Sequence, residues 1–177
     1  ASEAIVTPKL QTIRIEPNEK RVLRFSAPLK KNVRQWSTES PNLYQLSATV
    51  EEHHKPIDTL RTTFGIRSFQ TNGRTFELND ESIFLKGVAF YEEHPARGNA
   101  LTRDDHERLF KMTQDADANF VRLHVSQRDP YVYQLADKLG IMVCGEWGGF
   151  WYTEKSMGPQ SEDPNSIYQS VERCAVW

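Results

Sequence analysis

The residues best suited to chemistry follow three short hydrophobic runs. These groups are Tyr91-Glu92-Glu93-His94, Arg122-Leu123-His124, and Glu146-Trp147. Carboxylates, imidazoles and guanidinium groups can hold a polar ligand or move protons when they meet in one place. Such residues clustered at three run ends favour a functional site. The alternative for any single residue is a structural ion pair in a barrel interior.

The segments between these runs predict helices. Thr102 is a suitable N-cap and Asp105 follows at the third helical position, a variant of the capping box. Leu109, Met112, Thr113 and Ala116 then mark the expected buried face of the first helix.

The second helix has clear start and stop signals. It is predicted to begin at Asp129-Pro130 and to end at Gly140, with Val132, Leu135, Ala136 and Leu139 on its apolar face. Two strand–helix–strand units predict a parallel sheet with right-handed crossovers. The carboxyl ends of such strands form the ligand-binding edge.

The strand "NFVRLHV" determines which side chains share a face. If Val121 and Leu123 face the helices, alternation puts Arg122 and His124 on the opposite side. A buried guanidinium needs a partner, and Glu92 or Glu146 can supply one.

The sequence before residue 70 has a different pattern. The segments "TIRIEP", "RVLRFSAP", "LYQLSATVEE" and "TLRTTFGIRSFQ" alternate polar and apolar residues and predict short antiparallel strands of a sandwich. Trp36 is expected in the sandwich core, His53-His54 in a turn, and Asn72-Gly73 in a hairpin. We therefore expect an immunoglobulin-like β-sandwich domain over residues 1–69 and an α/β domain over 70–177.

Composition excludes several classes of protein. The 177 residues are 38% hydrophobic and 26% charged, with a formal net charge of −2, which argues against disorder and against a nucleic-acid partner. No apolar run reaches the roughly 18 residues of a membrane span. Cys144 and Cys174 lack zinc-site spacing, so we predict neither metal nor cofactor, and a disulfide between them stays open. The first residues lack signal-peptide features, which leaves the compartment open.

Several blocks together resemble glycoside hydrolase family 2, which includes β-galactosidases, β-glucuronidases and β-mannosidases. The blocks are "WSTESPNLYQLSATV", "DTLRTTFGIRSF", "FELNDESIFLKGVAFYEEHPARG", "ANFVRLHV" and "YQLADKLGIMVCGEW". The resemblance implies a jelly roll upstream, then the sandwich, then a (β/α)8 TIM barrel. This chain would hold the later part of the sandwich and about three of the eight barrel strands.

The resemblance also implies roles for the strand-end residues. Retaining glycosidases need two carboxyl groups, one acid/base and one nucleophile. The family carries them near the fourth and seventh barrel strands, so this chain is expected to contain no catalytic residue and to be inactive alone. Substrate contact or support is expected instead from a set of five residues: Glu92, Arg122, His124, Glu146 and Trp147.

The chain departs from the family at two strand ends. Tyr91 stands where the family commonly has His, and Val125 stands at the second strand's His position, with His124 one place early. These departures keep a second hypothesis open, a non-catalytic carbohydrate-binding or assembly module. A nucleotide-binding domain is disfavoured because no phosphate loop follows a strand.

Two further features stay open. The aromatics of "GGFWY", residues 148–152, either form a sugar platform or pack a loop. A homo-oligomer is compatible with the sequence.

Overall fold

The computed structural model describes residues 5–6, 10–30, 32–124 and 128–146. The chain divides into two compact units, residues 1–34 and residues 35–177. In the first unit, residues 10–30 form neither strand nor helix. The backbone there is held by a turn in which the Glu19 N–H donates to the Glu16 carbonyl at 3.0 Å.

The strands predicted over residues 12–17 and 21–28 are therefore wrong. Strands need a neighbour for their N–H and C=O groups, and they need a face to bury. Ile15, Val22 and Phe25 are 50%, 83% and 57% exposed, so their alternation buries no face in the described part of this unit.

The second unit begins with an antiparallel hairpin. It consists of β1 (Tyr44–Glu52) and β2 (Lys55–Phe64), joined at His53-His54 as predicted. Leu46, Val50 and Leu60 stand on one face and are each more than half exposed. A sandwich requires a second sheet over such a face. Within the described residues the hairpin is a separate two-stranded sheet, so the predicted sandwich is seen only in part.

A three-stranded antiparallel sheet follows. It contains β3 (Phe69–Asn72), β4 (Thr75–Leu78) and β5 (Glu81–Ile83). The first hairpin lies one residue beyond the prediction, because Asn72 pairs with Thr75 and leaves Gly73 and Arg74 as the loop. The predicted turn at Asn79-Asp80 is confirmed, with φ of 55° and 66°, the backbone that suits a tight hairpin.

The remaining elements form two parallel strand–helix–strand units, as predicted. They are β6 (Gly87–Tyr91), α1 (Arg103–Asp115), β7 (Phe120–His124), α2 (Pro130–Leu139) and β8 (Met142–Gly145). The sheet order is β6-β7-β8, and these three described strands form an open sheet. No helix within the described residues is long and apolar enough to cross a membrane.

The helix caps follow the predicted chemistry. The Thr102 side chain accepts from the Asp105 N–H, and the Asp105 carboxylate accepts from the Thr102 N–H at 2.8 Å, which completes the capping box. Asp129 caps α2, and Gly140 ends it with φ 74°. A side chain at Gly140 would also meet the Thr38 carbonyl oxygen at 2.3 Å, so glycine is required there on two grounds.

The core lies between the helices and one face of the parallel sheet. Its fully buried members are Phe110, Val121, Leu123, Val132, Leu135, Ala136 and Ile141. The predicted face of α2 is confirmed. The predicted face of α1 is partly wrong: Met112 is 57% exposed, Ala116 is exposed at the C-cap, and the buried stripe runs through His106, Phe110 and Thr113. A prediction from apolar residues alone puts the buried stripe of α1 in the wrong place, because one of the buried residues is His106.

Trp36 is buried, and its indole contacts helix α2 rather than only the antiparallel strands. It is 1% exposed, and its Nε1–H donates to the Asp137 carbonyl in α2 at 2.7 Å. The Arg67 guanidinium lies 4.8 Å from the ring centroid, and the Asn79 amide donates to the Trp36 carbonyl at 2.9 Å. Trp36 therefore ties the segment before β1 to α2, rather than only filling a sandwich core.

Candidate functional site

The three parallel strands bring their carboxyl ends to one edge of the sheet. Tyr91 pairs with His124, and Leu123 pairs with Gly145, so Glu146 follows directly at the same level. Val121 and Leu123 are fully buried toward the helices. Arg122 and His124 consequently project from the other face, which confirms the predicted alternation.

Glu146 is the centre of this strand-end cluster, which we define as Tyr91, Arg122, His124 and Glu146. Its side chain is only 7% exposed, and the Arg122 guanidinium pairs with Oε1. The His124 Nδ1 lies 3.0 Å from Oε2. Because a carboxylate only accepts hydrogen bonds, Nδ1 of His124 is the donor, and this assigns the imidazole's Nδ1 proton. The prediction that Arg122 pairs with Glu92 or Glu146 is confirmed for Glu146.

The two contacts to Glu146 differ in kind. The Arg122 guanidinium forms an ion pair with Glu146 Oε1, but the pair does not have the geometry of a hydrogen bond. Oε1 therefore makes no hydrogen bond within the described residues. The Arg122 side chain is itself half exposed. Arg122 therefore stabilises the negative charge of the carboxylate, while its guanidinium remains accessible on the open face of the sheet.

Tyr91 extends the cluster along the first strand. Its ring centroid lies 4.5 Å from that of His124, in an edge-on arrangement, and 62% of the residue is exposed. The Tyr91 ring therefore packs against the imidazole that bonds Glu146 and leaves much of its own surface open. The departure at Tyr91 places an aromatic surface next to the ionisable groups rather than a second imidazole.

Glu92 belongs to a second cluster, which the sequence does not predict. Its Oε2 lies 3.2 Å from Nη1 of Arg128, and its Oε1 lies 3.8 Å from Nδ1 of His106. Arg128 also donates to the His124 backbone carbonyl. Arg128 therefore links the residue after β6 to the last residue of β7, and we call this link the clamp between β6 and β7. Glu92, the other carboxylate considered as a partner for Arg122, pairs with Arg128 instead.

One sequence signal could have found part of this second cluster. His106 occurs at helical spacing with Phe110 and Thr113, and a histidine on a buried helical face needs a polar neighbour. Arg128 carries no comparable signal, because it lies in a loop and its partner is 36 positions away along the chain. Trp147, also predicted at the site, lies outside the described residues.

The loop between β6 and α1 is fixed by Asp105. Hydrogen bonds from the Thr102 backbone and hydroxyl, and then from Arg97, hold the pKa of the Asp105 carboxyl well below its usual range. The Arg97 guanidinium pairs with the same carboxylate, and His94 forms an isolated bridge with Gly98. The same aspartate thus caps α1 and anchors the loop that carries Glu92.

The chemistry of the site is that of polar recognition. Glu92 and Glu146 are engaged by cationic side chains or imidazoles, which fixes their orientation, whereas Glu93 is exposed. Residues 5–6, 10–30, 32–124 and 128–146 contain no group of three or more His, Cys, Asp or Glu placed to hold a metal ion. Oriented carboxylate, imidazole and guanidinium groups suit the donors and acceptors of a hydroxylated ligand.

Comparison with known families decides the chain's affiliation. Residues 2–67 match the model of glycosyl hydrolases family 2, and residues 69–172 match the model of the family's TIM barrel domain. The chain belongs to glycosyl hydrolase family 2. The resemblance inferred from sequence blocks is thereby confirmed, and the open β6-β7-β8 sheet corresponds to the start of the barrel domain.

Individual relatives agree with this family assignment. A putative β-glucuronidase of Formosa agariphila is 36% identical over 117 residues, which is 66% of this chain and 14% of that protein. A β-galactosidase of Vibrio vulnificus is 26% identical over 79% of this chain, again 14% of that protein. The chain thus spans about a seventh of the length of these curated relatives.

Solved structures give the same result. The β-glucuronidase of Parabacteroides merdae superposes with a TM-score of 0.66 at 30% identity, covering 70% of this chain and 16% of that one. A Ruminococcus gnavus β-glucuronidase in complex with D-glucuronic acid gives 0.65 at 26% identity, covering 70% of this chain and 21% of that one.

In the family that the sequence resembles, the acid/base Glu follows an Asn, and the expectation that this chain has no Asn-Glu dipeptide is wrong, because one occurs at Asn18-Glu19. It lies in the first unit, in a turn, and not after a barrel strand. The Glu19 carboxylate accepts from the Glu16 N–H at 2.9 Å and pairs with Arg21. Glu19 therefore stabilises a local turn, and the expectation that the chain contains no catalytic residue stays a prediction.

Proposed function

We propose that this chain is part of a retaining glycoside hydrolase that removes terminal β-linked sugars, of the β-galactosidase or β-glucuronidase kind. Residues 1–69 would be the later part of its immunoglobulin-like sandwich, and residues 70–177 the N-terminal portion of its TIM barrel. The observation that carries the proposal is the orientation of Glu146 by Arg122 and His124 at the carboxyl ends of parallel strands. This edge is where barrel enzymes bind their substrates.

The strand-end residues would contact or support the sugar rather than break its bond. Glu92 and Glu146 are each paired with a cationic neighbour, whereas a retaining pair needs two carboxyl groups about 5 to 5.5 Å apart with separate roles. Arg122 and Tyr91 are the accessible members of the cluster, so they would meet sugar hydroxyls directly. Glu92 would keep the loop after β6 in place through Arg128, and we propose Trp147 as a further substrate-binding residue.

The experiment uses the longer polypeptide encoded by the reading frame that contains this chain. It is assayed with aryl β-galactoside, β-glucuronide and β-mannoside, and the first-formed sugar is followed by ¹H NMR. Hydrolysis that releases the β-anomer first supports a retaining enzyme. Release of the α-anomer, or absence of turnover on all three glycosides, contradicts it.

A non-catalytic carbohydrate-binding or assembly module is the second candidate. The exposed Tyr91 favours it, because an aromatic surface binds a sugar ring without any proton transfer. Binding of the same glycosides by the longer polypeptide, with no release of the aryl group, would support this function over the first.

A further inference from the structure

A polar cavity lies between the loop that follows β6 and the first turns of α1 and α2. Its volume is about 250 Å³. The polar residues that line it are Glu92, Asn99, Arg103, His106, Asp129 and Tyr131. A water molecule takes up about 30 Å³ of liquid, so the cavity has room for more than isolated waters. It is smaller than the roughly 300 Å³ at which pockets for drug-sized molecules begin, so any ligand there must be small.

His106 presents a polar side chain to the cavity. The residue is 7% exposed and lines the cavity from the buried face of α1. Its Nδ1 lies 3.8 Å from Glu92 Oε1, beyond hydrogen-bond distance, and the imidazole makes no hydrogen bond to any residue that the structure describes. Its ring nitrogens are therefore open to a hydrogen-bond partner from the cavity. A ligand hydroxyl in the cavity would supply that partner.

The charges around the cavity favour a neutral ligand. Arg128 neutralises Glu92 at 3.2 Å, and the Asp129 carboxylate accepts from the Tyr131 N–H at 2.7 Å. The Arg103 guanidinium lies 4.8 Å from the centroid of the Tyr131 ring. The lining therefore presents both donors and acceptors, and the carboxylates of Glu92 and Asp129 are matched in number by the guanidinium groups of Arg103 and Arg128. Sugar hydroxyls, which donate and accept at once, match such a lining better than an anion does.

We propose that this cavity binds one neutral sugar unit, with His106 hydrogen-bonded to a sugar hydroxyl. The choice of a sugar rests on the proposed function, whereas the preference for a neutral hydroxylated ligand rests on the lining. The cavity shares Glu92 with the clamp between β6 and β7. Occupation of the cavity would therefore also stabilise the loop that precedes α1.

The test is a ¹H–¹⁵N NMR titration of the 177-residue chain with methyl β-D-galactopyranoside. Amides of residues 99–106 are expected to shift saturably at millimolar sugar. The His106→Leu variant removes the imidazole and is expected to weaken binding about tenfold, which corresponds to the loss of one hydrogen bond. Arg108→Leu, on the exposed side of the same helix, is the matched control and is expected to bind as the unchanged chain does.

A second variant keeps the test decisive if His106→Leu does not fold. Asn99→Ala removes a lining amide from an exposed loop, and it is expected to weaken binding several-fold. Unshifted amides at 99–106, or unchanged affinity in every variant that folds, would overturn the proposal. Saturable shifts confined to residues 89–91 and 122–124 would overturn the cavity while leaving the proposed function intact. Binding in the cavity by the 177-residue chain, with no turnover by the longer polypeptide, would support the cavity proposal and contradict the proposed hydrolase function.

Discussion

Replacing Arg128 by leucine tests the clamp between the ends of β6 and β7. The side chains of Arg128 and Glu92 are 9% and 15% exposed, so the Arg128→Leu variant would leave a largely buried carboxylate without its cation. Breaking such a pair destabilises proteins by about 3 to 5 kcal/mol. His106 remains 3.8 Å from the carboxylate and offers partial compensation, so we expect a loss of about 3 kcal/mol in the free energy of unfolding.

The assay is equilibrium unfolding in urea, monitored by circular dichroism. The double variant Arg128→Leu/Glu92→Leu removes both charges and should recover part of the loss, giving a coupling energy of about 1 to 3 kcal/mol. The control is Lys111→Leu, which breaks a pair whose side chains are 73% and 61% exposed. That variant should change stability by less than about 0.5 kcal/mol. The clamp would be refuted if Arg128→Leu, like the control, lost less than about 0.5 kcal/mol in the free energy of unfolding. It would also be refuted if the double variant recovered none of the loss.

Three further predictions concern the loop, the tryptophan anchor and activity. Because the pKa of Asp105 is lower in the folded state than its ordinary 3.8, its stabilisation is present above pH 3.8 and is lost as pH falls through the folded value. Asp105→Asn should therefore flatten the acid limb of a stability–pH curve, and an unchanged limb would contradict this. Trp36→Phe should lower the free energy of unfolding in urea by about 1 to 2 kcal/mol, because the hydrogen bond to the Asp137 carbonyl disappears and the cation–π contact with Arg67 weakens. An unchanged free energy of unfolding would show that the indole N–H is not needed. The 177-residue chain alone should show no turnover of aryl β-galactoside, β-glucuronide or β-mannoside, and hydrolysis that Glu146→Gln abolishes would move a catalytic role into these strands.

The features that could be predicted from the sequence are those set by near neighbours. Thr102 with Asp105, and Asp129 with Gly140, specify helix ends within a few residues, and the structure has both. Strand alternation likewise puts Arg122 on the face opposite Val121, and from there only a few carboxylates can reach it. These inferences need no knowledge of distant packing.

The features that escape prediction depend on distant partners. Arg128 and Glu92 meet because β6 and β7 pair side by side and bring the residues that follow them to the same edge of the sheet. The alternation around Ile15 and Phe25 looks like a strand, yet it forms none because no neighbouring strand lies within the described part of its unit. Met112 is expected in the core because a methionine is more apolar than a histidine, although His106 occupies the buried stripe.

The most direct test of the central claim is the effect of Glu146→Gln on kcat/KM of the longer polypeptide, measured with its best aryl β-glycoside. Gln keeps the shape of the side chain but removes the charge that orients Arg122 and His124. Loss of a charged hydrogen bond corresponds to about 1.5 to 3 kcal/mol, so kcat/KM should fall between about tenfold and a hundredfold. Lys111→Leu, far along α1 on its exposed side, should leave it unchanged. An unaltered kcat/KM in a folded Glu146→Gln enzyme would contradict the claim that this strand-end cluster holds the sugar.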